Sequence, residues 1–151
     1  MPGSDFMHPQ QCLNAKLRRA ARVAAQLYQD TGASGLESTQ FILIAAINGF
    51  GTCTLGELAA WVGIDQTTAT RSVDLLRRRG LVSVTPGRAD RRVRTLKLTE
   101  AGRATLAAAL PGWRAAQSRT VNRLGPRRAR QLLQLLAEFS ALGQEEPASE
   151  Q

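Results

Sequence analysis

Guanidinium and hydroxyl groups are the chemistry that this sequence concentrates. Of its 20 basic residues 18 are arginine, and the formal net charge is +8. Eight of those arginines fall between Arg71 and Arg94, against only Asp74 and Asp90, a local net charge of +6. A planar guanidinium meets a phosphate or a guanine edge with two parallel hydrogen bonds, which an ammonium group cannot do. A field this localised points to a polyanion as partner rather than to solubility alone. Just ahead of it, "DQTTATRS" (65–72) sets threonine hydroxyls beside Arg71.

Catalytic chemistry finds no comparable cluster. The sequence brings no nucleophile together with a base and has no phosphate-binding glycine loop, so an enzyme is not expected. Cys12 and Cys53 give neither a disulfide framework nor a metal-ligand spacing, and His8 is the single histidine, so no metal or other cofactor is expected. The first twelve residues lack the basic-then-apolar pattern of a signal peptide, and the apolar run Phe41 to Ile47 is too short to span a membrane. A cytoplasmic protein without a membrane partner is the expectation.

These groups need a frame. At 151 residues the chain suits one domain with a modest core. A first helix is expected over about 9–30, with Pro9 in its first turn and Leu13, Leu17, Ala20, Ala24 and Leu27 at helical spacing. Ser38 or Thr39 is placed to cap a second helix, 40–48, whose "FILIAAI" is apolar all round and therefore central. Thr54 with Glu57 forms a capping box for a short helix carrying Leu55, Leu58, Ala59 and Val62 inward. Ala59 followed four positions later by Gly63 is the spacing of a helix-turn-helix corner: a small residue for close approach, then a glycine for positive φ. Ile64 plugs the turn and Asp65 caps the next helix.

At 100° per residue, that helix gathers Ala69, Val73 and Leu76 on one side and Thr67, Thr70, Arg71, Asp74 and Arg78 on the other. An apolar stripe backed by hydroxyls and guanidiniums suits a helix lying in a major groove. After Gly80, "LVSVT" and "VRTLKL" alternate as paired strands, with "PGRADR" as the turn between them. Arg88, Arg91 and Arg92 then sit at the hairpin end. Thr99 caps a helix from 100 to about 124, interrupted by "PGW" at 111–113, where Pro111 predicts a kink. "LGP" separates it from a last helix carrying Leu132, Leu133, Leu135, Leu136, Phe139 and Leu142. Residues 1–8 are expected to be flexible, and the acidic tail 144–151 to be disordered.

In this order and spacing the elements resemble the MarR family of winged-helix transcription regulators. The likeness covers roughly residues 10–143 and rests on Asp90-x-Arg92, Leu96-x-Leu98-Thr99, Gly102 and "LRRRGLV" (76–82). It implies a mostly α fold with a small β-hairpin wing: a winged helix-turn-helix at about 50–98, and helical dimerisation regions at about 9–30 and 100–143. It further implies a homodimer on double-stranded DNA. Thr67, Thr68, Thr70 and Arg71 would then enter the major groove, with Arg92 reaching the flanking minor groove. Gln66, Arg78, Arg88 and Arg91 complete the expected DNA-binding set. Asp90 either holds the Arg92 guanidinium in pose or simply favours the turn.

A repressor released from a palindromic operator by a small aromatic or phenolic ligand is the function this likeness implies. Arg18, Arg19, Arg22, Phe41 and Trp113 are the candidates for lining the ligand crevice. Two alternatives stay open: a peroxide sensor acting through Cys12 near the start of the first helix, and a basic protein binding nucleic acid without sequence preference.

Overall fold

The computed structural model describes residues 8–29, 35–87 and 92–143. Its elements are α1 (Leu13–Leu27), α2 (Ser38–Phe50), β1 (Cys53–Thr54), α3 (Leu55–Val62), α4 (Gln66–Arg78), β2 (Val82–Pro86), β3 (Arg94–Leu98), α5 (Glu100–Leu124) and α6 (Pro126–Ala141). It is a mostly helical chain with a small antiparallel wing. Within α5 the chain divides into two compact units, one running through Arg114 and the other from Ala115 onward.

In the first unit α2 is the central post. Leu43, Ile44 and Ile47 are wholly buried, with Phe41 and Ala46 close behind, and only Ile42 of the run "FILIAAI" turns outward at 40% exposure. Around it pack Leu58 of α3, Val73 and Leu76 of α4, Val82, Leu96 and Leu98 of the wing, and Leu106 and Ala109 of α5. The helix-turn-helix corner forms as its spacing requires. Thr54 and Glu57 exchange capping hydrogen bonds, Gly63 takes φ 76°, and its N–H and that of Ile64 both donate to the Ala59 carbonyl.

The wing is three-stranded, in the order β1-β3-β2. β2 and β3 pair from Val82↔Leu98 to Pro86↔Arg94, which sends Val82, Leu96 and Leu98 inward. β1 adds two residues to the far edge of β3 through Cys53↔Leu96 and Thr54↔Thr95. This strand is absent from the sequence reading, since an alternation of period two cannot show itself in two residues.

The Leu-x-Leu-Thr-x-x-Gly run acquires a physical account here. Thr99 donates its hydroxyl to the Gly80 carbonyl and its N–H to that of Leu81, and its hydroxyl oxygen accepts from Gly102 N–H. The end of the wing, the segment after α4 and the first turn of α5 are thus tied at one side chain. Gly102 lets them close. A Cβ there would overlap the Leu81 carbonyl oxygen and lie 3.0 Å from its carbon.

Several local expectations are corrected. Residues 9–11 form a short 3-10 turn, and α1 begins only at Leu13. The cap of α2 is Glu37, not Ser38 or Thr39, in a box with Gln40. α5 is not interrupted at "PGW": it runs through Pro111, which forgoes one backbone donor without ending the helix. Residues 1–7 and the tail 144–151 lie outside the described residues. Among the described residues no helix is long and apolar enough to cross a membrane, and no group of side chains could hold a metal ion.

Candidate nucleic-acid interface

The local sequence decides how α4 is presented. Asp65 starts the helix by accepting the Thr68 N–H at 2.9 Å, and its other carboxylate oxygen accepts the Thr68 hydroxyl. Those bonds hold the Asp65 carboxyl below its ordinary range, the Thr68 hydroxyl first and its N–H second. In α3 the Thr54 backbone N–H and then its hydroxyl do the same for Glu57. Both helices of the corner therefore have an ionised carboxylate at their start at neutral pH, Asp65 as the cap of α4 and Glu57 within the capping box of α3.

From that start α4 buries Ala69, Val73 and Leu76 and exposes Gln66, Thr67, Thr68, Thr70, Arg71 and Arg78. Two of the threonine hydroxyls already have work within the helix. Thr68 is committed to Asp65, and Thr70 donates to the Gln66 carbonyl at 2.7 Å. Thr70 can still accept from a base edge through its hydroxyl oxygen's lone pairs. The three arginines at the end of α4 separate by role. Arg77 pairs with Asp74 at 3.5 Å and Arg79 donates to Gln40 at 2.9 Å. For Arg71 and Arg78, no carboxylate partner exists among the described residues. A cation that faces solvent without an internal partner loses no ion pair when it meets a phosphate.

At the wing, the Gly87 N–H donates to the Val93 carbonyl at 2.6 Å, closing the hairpin just below its turn. Arg92 and Arg94 are exposed at its end. Arg88, Asp90 and Arg91 lie outside the described residues, so both readings of Asp90 stand as they were. Exposed basic groups thus occur on the polar face of α4 and at the end of the hairpin.

The residues expected to line a ligand crevice fall into two places. Phe41 and Trp113 stack on each other, with ring centroids 5.9 Å apart and planes 20° apart, and Phe41 is only 5% exposed. Arg18, Arg19 and Arg22 instead line, with Val23, an open cavity of about 410 Å³ on α1 that has neither aromatic in its walls. Cys12 is exposed at the N-cap of α1, whereas Cys53 is buried in β1, and burial followed by the charge of Glu57 pushes its thiol pKa up. A protonated, buried thiol is a poor partner for a cysteine-based switch.

Sequence periodicity could not reveal the Gln40–Arg79 bond, which joins positions 39 apart. The bond from the Thr68 N–H to Asp65 was legible, since a capping aspartate accepts from the backbone two or three residues on, whereas that rule says nothing of the Thr68 hydroxyl.

Comparison with known proteins agrees with this arrangement. A family model described as MarR family matches residues 34–93. The HTH-type transcriptional repressor NicR of Pseudomonas putida is 33% identical over 96 residues, which is 63% of this chain and 61% of that relative. The chain therefore spans less than two thirds of the length of this curated relative. The M. tuberculosis transcriptional regulator MosR, solved in complex with DNA, is 40% identical with a TM-score of 0.74, covering 87% of this chain and 98% of that one. Bordetella bronchiseptica BpsR, solved in a study of how 6-hydroxynicotinic acid regulates its DNA binding, is 29% identical with a TM-score of 0.75, covering 85% and 98%. With α4 capped, its polar face exposed and an arginine wing beside it, this chain belongs to the MarR family of DNA-binding, winged-helix transcription regulators.

Proposed function

We propose that the protein is a homodimeric repressor that binds a palindromic operator and is released from it by a small aromatic or phenolic ligand. The observation that carries the DNA part is the division of α4 into a buried apolar face and an exposed face of Gln66, Thr67, Thr70, Arg71 and Arg78. That face enters the major groove, and Arg92, with Arg88 and Arg91, reaches the minor groove beside it. Thr68 serves the interface by holding the start of α4. Two half-sites about one helical turn apart, within roughly 16 to 20 base pairs, follow from two-fold symmetry.

Substitutions separate the two kinds of contact. Arg92→Ala is expected to weaken operator and unrelated duplexes alike and to make the salt dependence shallower by about one phosphate per site. Arg71→Ala or Thr70→Ala is expected to cost about 1 to 3 kcal/mol on the operator and to relax the preferred base at one position of each half-site. Fluorescence anisotropy on operator variants at two salt concentrations reads both. Uniform loss from all three substitutions would leave no base reading by α4.

Support for the ligand part comes from two features. The cavity on α1 carries three guanidiniums, a setting for a carboxylate or phenolate. BpsR, a relative of similar fold, has its DNA binding regulated by 6-hydroxynicotinic acid, an aromatic acid. Aromatic carboxylates at millimolar concentration are expected to release the operator, while mild organic hydroperoxide leaves binding unchanged in wild type and in Cys12→Ser. Release by peroxide in wild type, abolished in Cys12→Ser, would replace the ligand trigger by a redox one.

A further inference from the structure

Gln40 is the buried polar side chain among the described residues, 8% exposed, in a helix otherwise apolar toward the core. Its amide oxygen serves two donors. It accepts the Glu37 N–H at 3.3 Å, completing the box that starts α2, and it accepts Arg79 Nη1 at 2.9 Å. Arg79 is the residue on which α4 ends. Its Nη2 lies over Gly35, 3.8 Å from where a Cβ would stand. One guanidinium therefore straps the end of the DNA-facing helix to the entry of α2. The same entry, Gly35 to Thr39, walls an open cavity of about 710 Å³ together with Ala25 and Gln29. Beyond it, Phe41 stacks on Trp113.

We propose that Gln40 and Arg79 are positioning residues that set the angle of α4 against DNA, so that displacement of the α2 entry is felt as a change in operator recognition. This rests on the DNA-binding reading above. Arg71 and Thr67 stand eight and twelve residues from the strap, a lever of roughly 12 to 18 Å along the helix. A tilt of about five degrees about the strapped end moves those positions by roughly 1 to 1.6 Å. Base-edge hydrogen bonds do not survive such a shift, whereas long arginines on phosphates follow it. The strap therefore governs discrimination between sequences and leaves general DNA affinity alone.

The test uses the full chain with its selected operator and a random duplex. Gln40→Leu is expected to lower operator affinity roughly tenfold, about what the loss of one base-edge contact costs. Random-duplex affinity and its salt dependence stay as in wild type. Gln40→Glu, which restores an acceptor, is expected to recover operator affinity to within about threefold, and Gln40→Leu with Arg79→Ala to be no worse than either alone. If Arg79→Ala instead weakens both duplexes equally and flattens the salt dependence, Arg79 is a phosphate ligand and the proposal is wrong. A second reading needs no DNA. Amide exchange at Phe41 and at Arg79 to Leu81 should quicken in Gln40→Leu and recover in Gln40→Glu, and unchanged exchange would equally overturn the strap. A wild-type chain that fails to prefer its operator sinks the DNA reading, while the exchange result still decides the contact.

Discussion

Leu132→Arg combined with Leu136→Arg is expected to leave the chain monomeric at micromolar concentration and to weaken operator binding by about a hundredfold or more. The reason lies in α6 itself. Its face of Leu132, Leu133, Leu135, Leu136 and Phe139 is 39 to 63% exposed residue by residue, and not one residue of the helix is buried. Monomers rarely leave so continuous an apolar stripe in water, and a two-fold copy of the same stripe would cover it. α1, with Leu13, Val23 and Leu27 exposed and likewise nothing buried, presents a second surface of the same kind. Four guanidiniums in such an interface, two from each copy, would be desolvated without partners, at a cost of several kcal/mol. Operator binding falls with the dimer because the second half-site is then no longer held at high effective concentration. Light scattering and anisotropy on the same samples read both effects. A wild-type monomer with full operator affinity would end the dimer claim.

Gly102→Ala is expected to destabilise the first unit by about 3 kcal/mol and lower Tm by roughly 10 °C. The added methyl would overlap the Leu81 carbonyl oxygen, which is backbone and already accepts the Thr99 N–H at 3.1 Å. Relief requires moving the segment that joins α4 to the wing, so the Thr99 bonds are strained together. Gly49→Ala is the control with the opposite sign. Gly49 lies inside α2 with nothing within 4 Å of its added Cβ. There alanine should stabilise by about 0.5 to 1 kcal/mol through helix propensity alone. Thermal unfolding of both variants beside wild type tests the pair, and equal shifts in one direction would contradict it.

Features confined to a few consecutive residues were legible from sequence. Thr54 with Glu57, Ala59 with Gly63, and Asp65 as a cap each act over three or four positions, so their geometry could be written down directly. The division of α4 followed from helical periodicity, because its core side holds Ala69, Val73 and Leu76 at spacings of four and three. What escaped depends on distant partners. β1 exists because Cys53 finds Leu96 across the sheet. Ile42 is 40% exposed between the buried Phe41 and Leu43, so the apolar run itself gave no hint of it. Pro111 does not end α5, because local propensity yields when Ala109 and Trp113 pack on both sides of it. Helical spacing likewise could not show that Phe41 stacks on Trp113, nor that Arg18, Arg19 and Arg22 line an open cavity with Val23.

The central claim is that α4 and the wing read a two-fold DNA sequence. It is tested most directly by selecting bound duplexes from a randomised pool with the wild-type chain. The account predicts enrichment of an inverted repeat of roughly 16 to 20 base pairs, with half-site centres about one helical turn apart. Affinity for it should exceed that for unselected DNA by at least about a thousandfold at physiological salt. Selected duplexes that share no dyad and bind no more tightly than the starting pool would contradict it, and would leave only a basic protein that binds nucleic acid by charge.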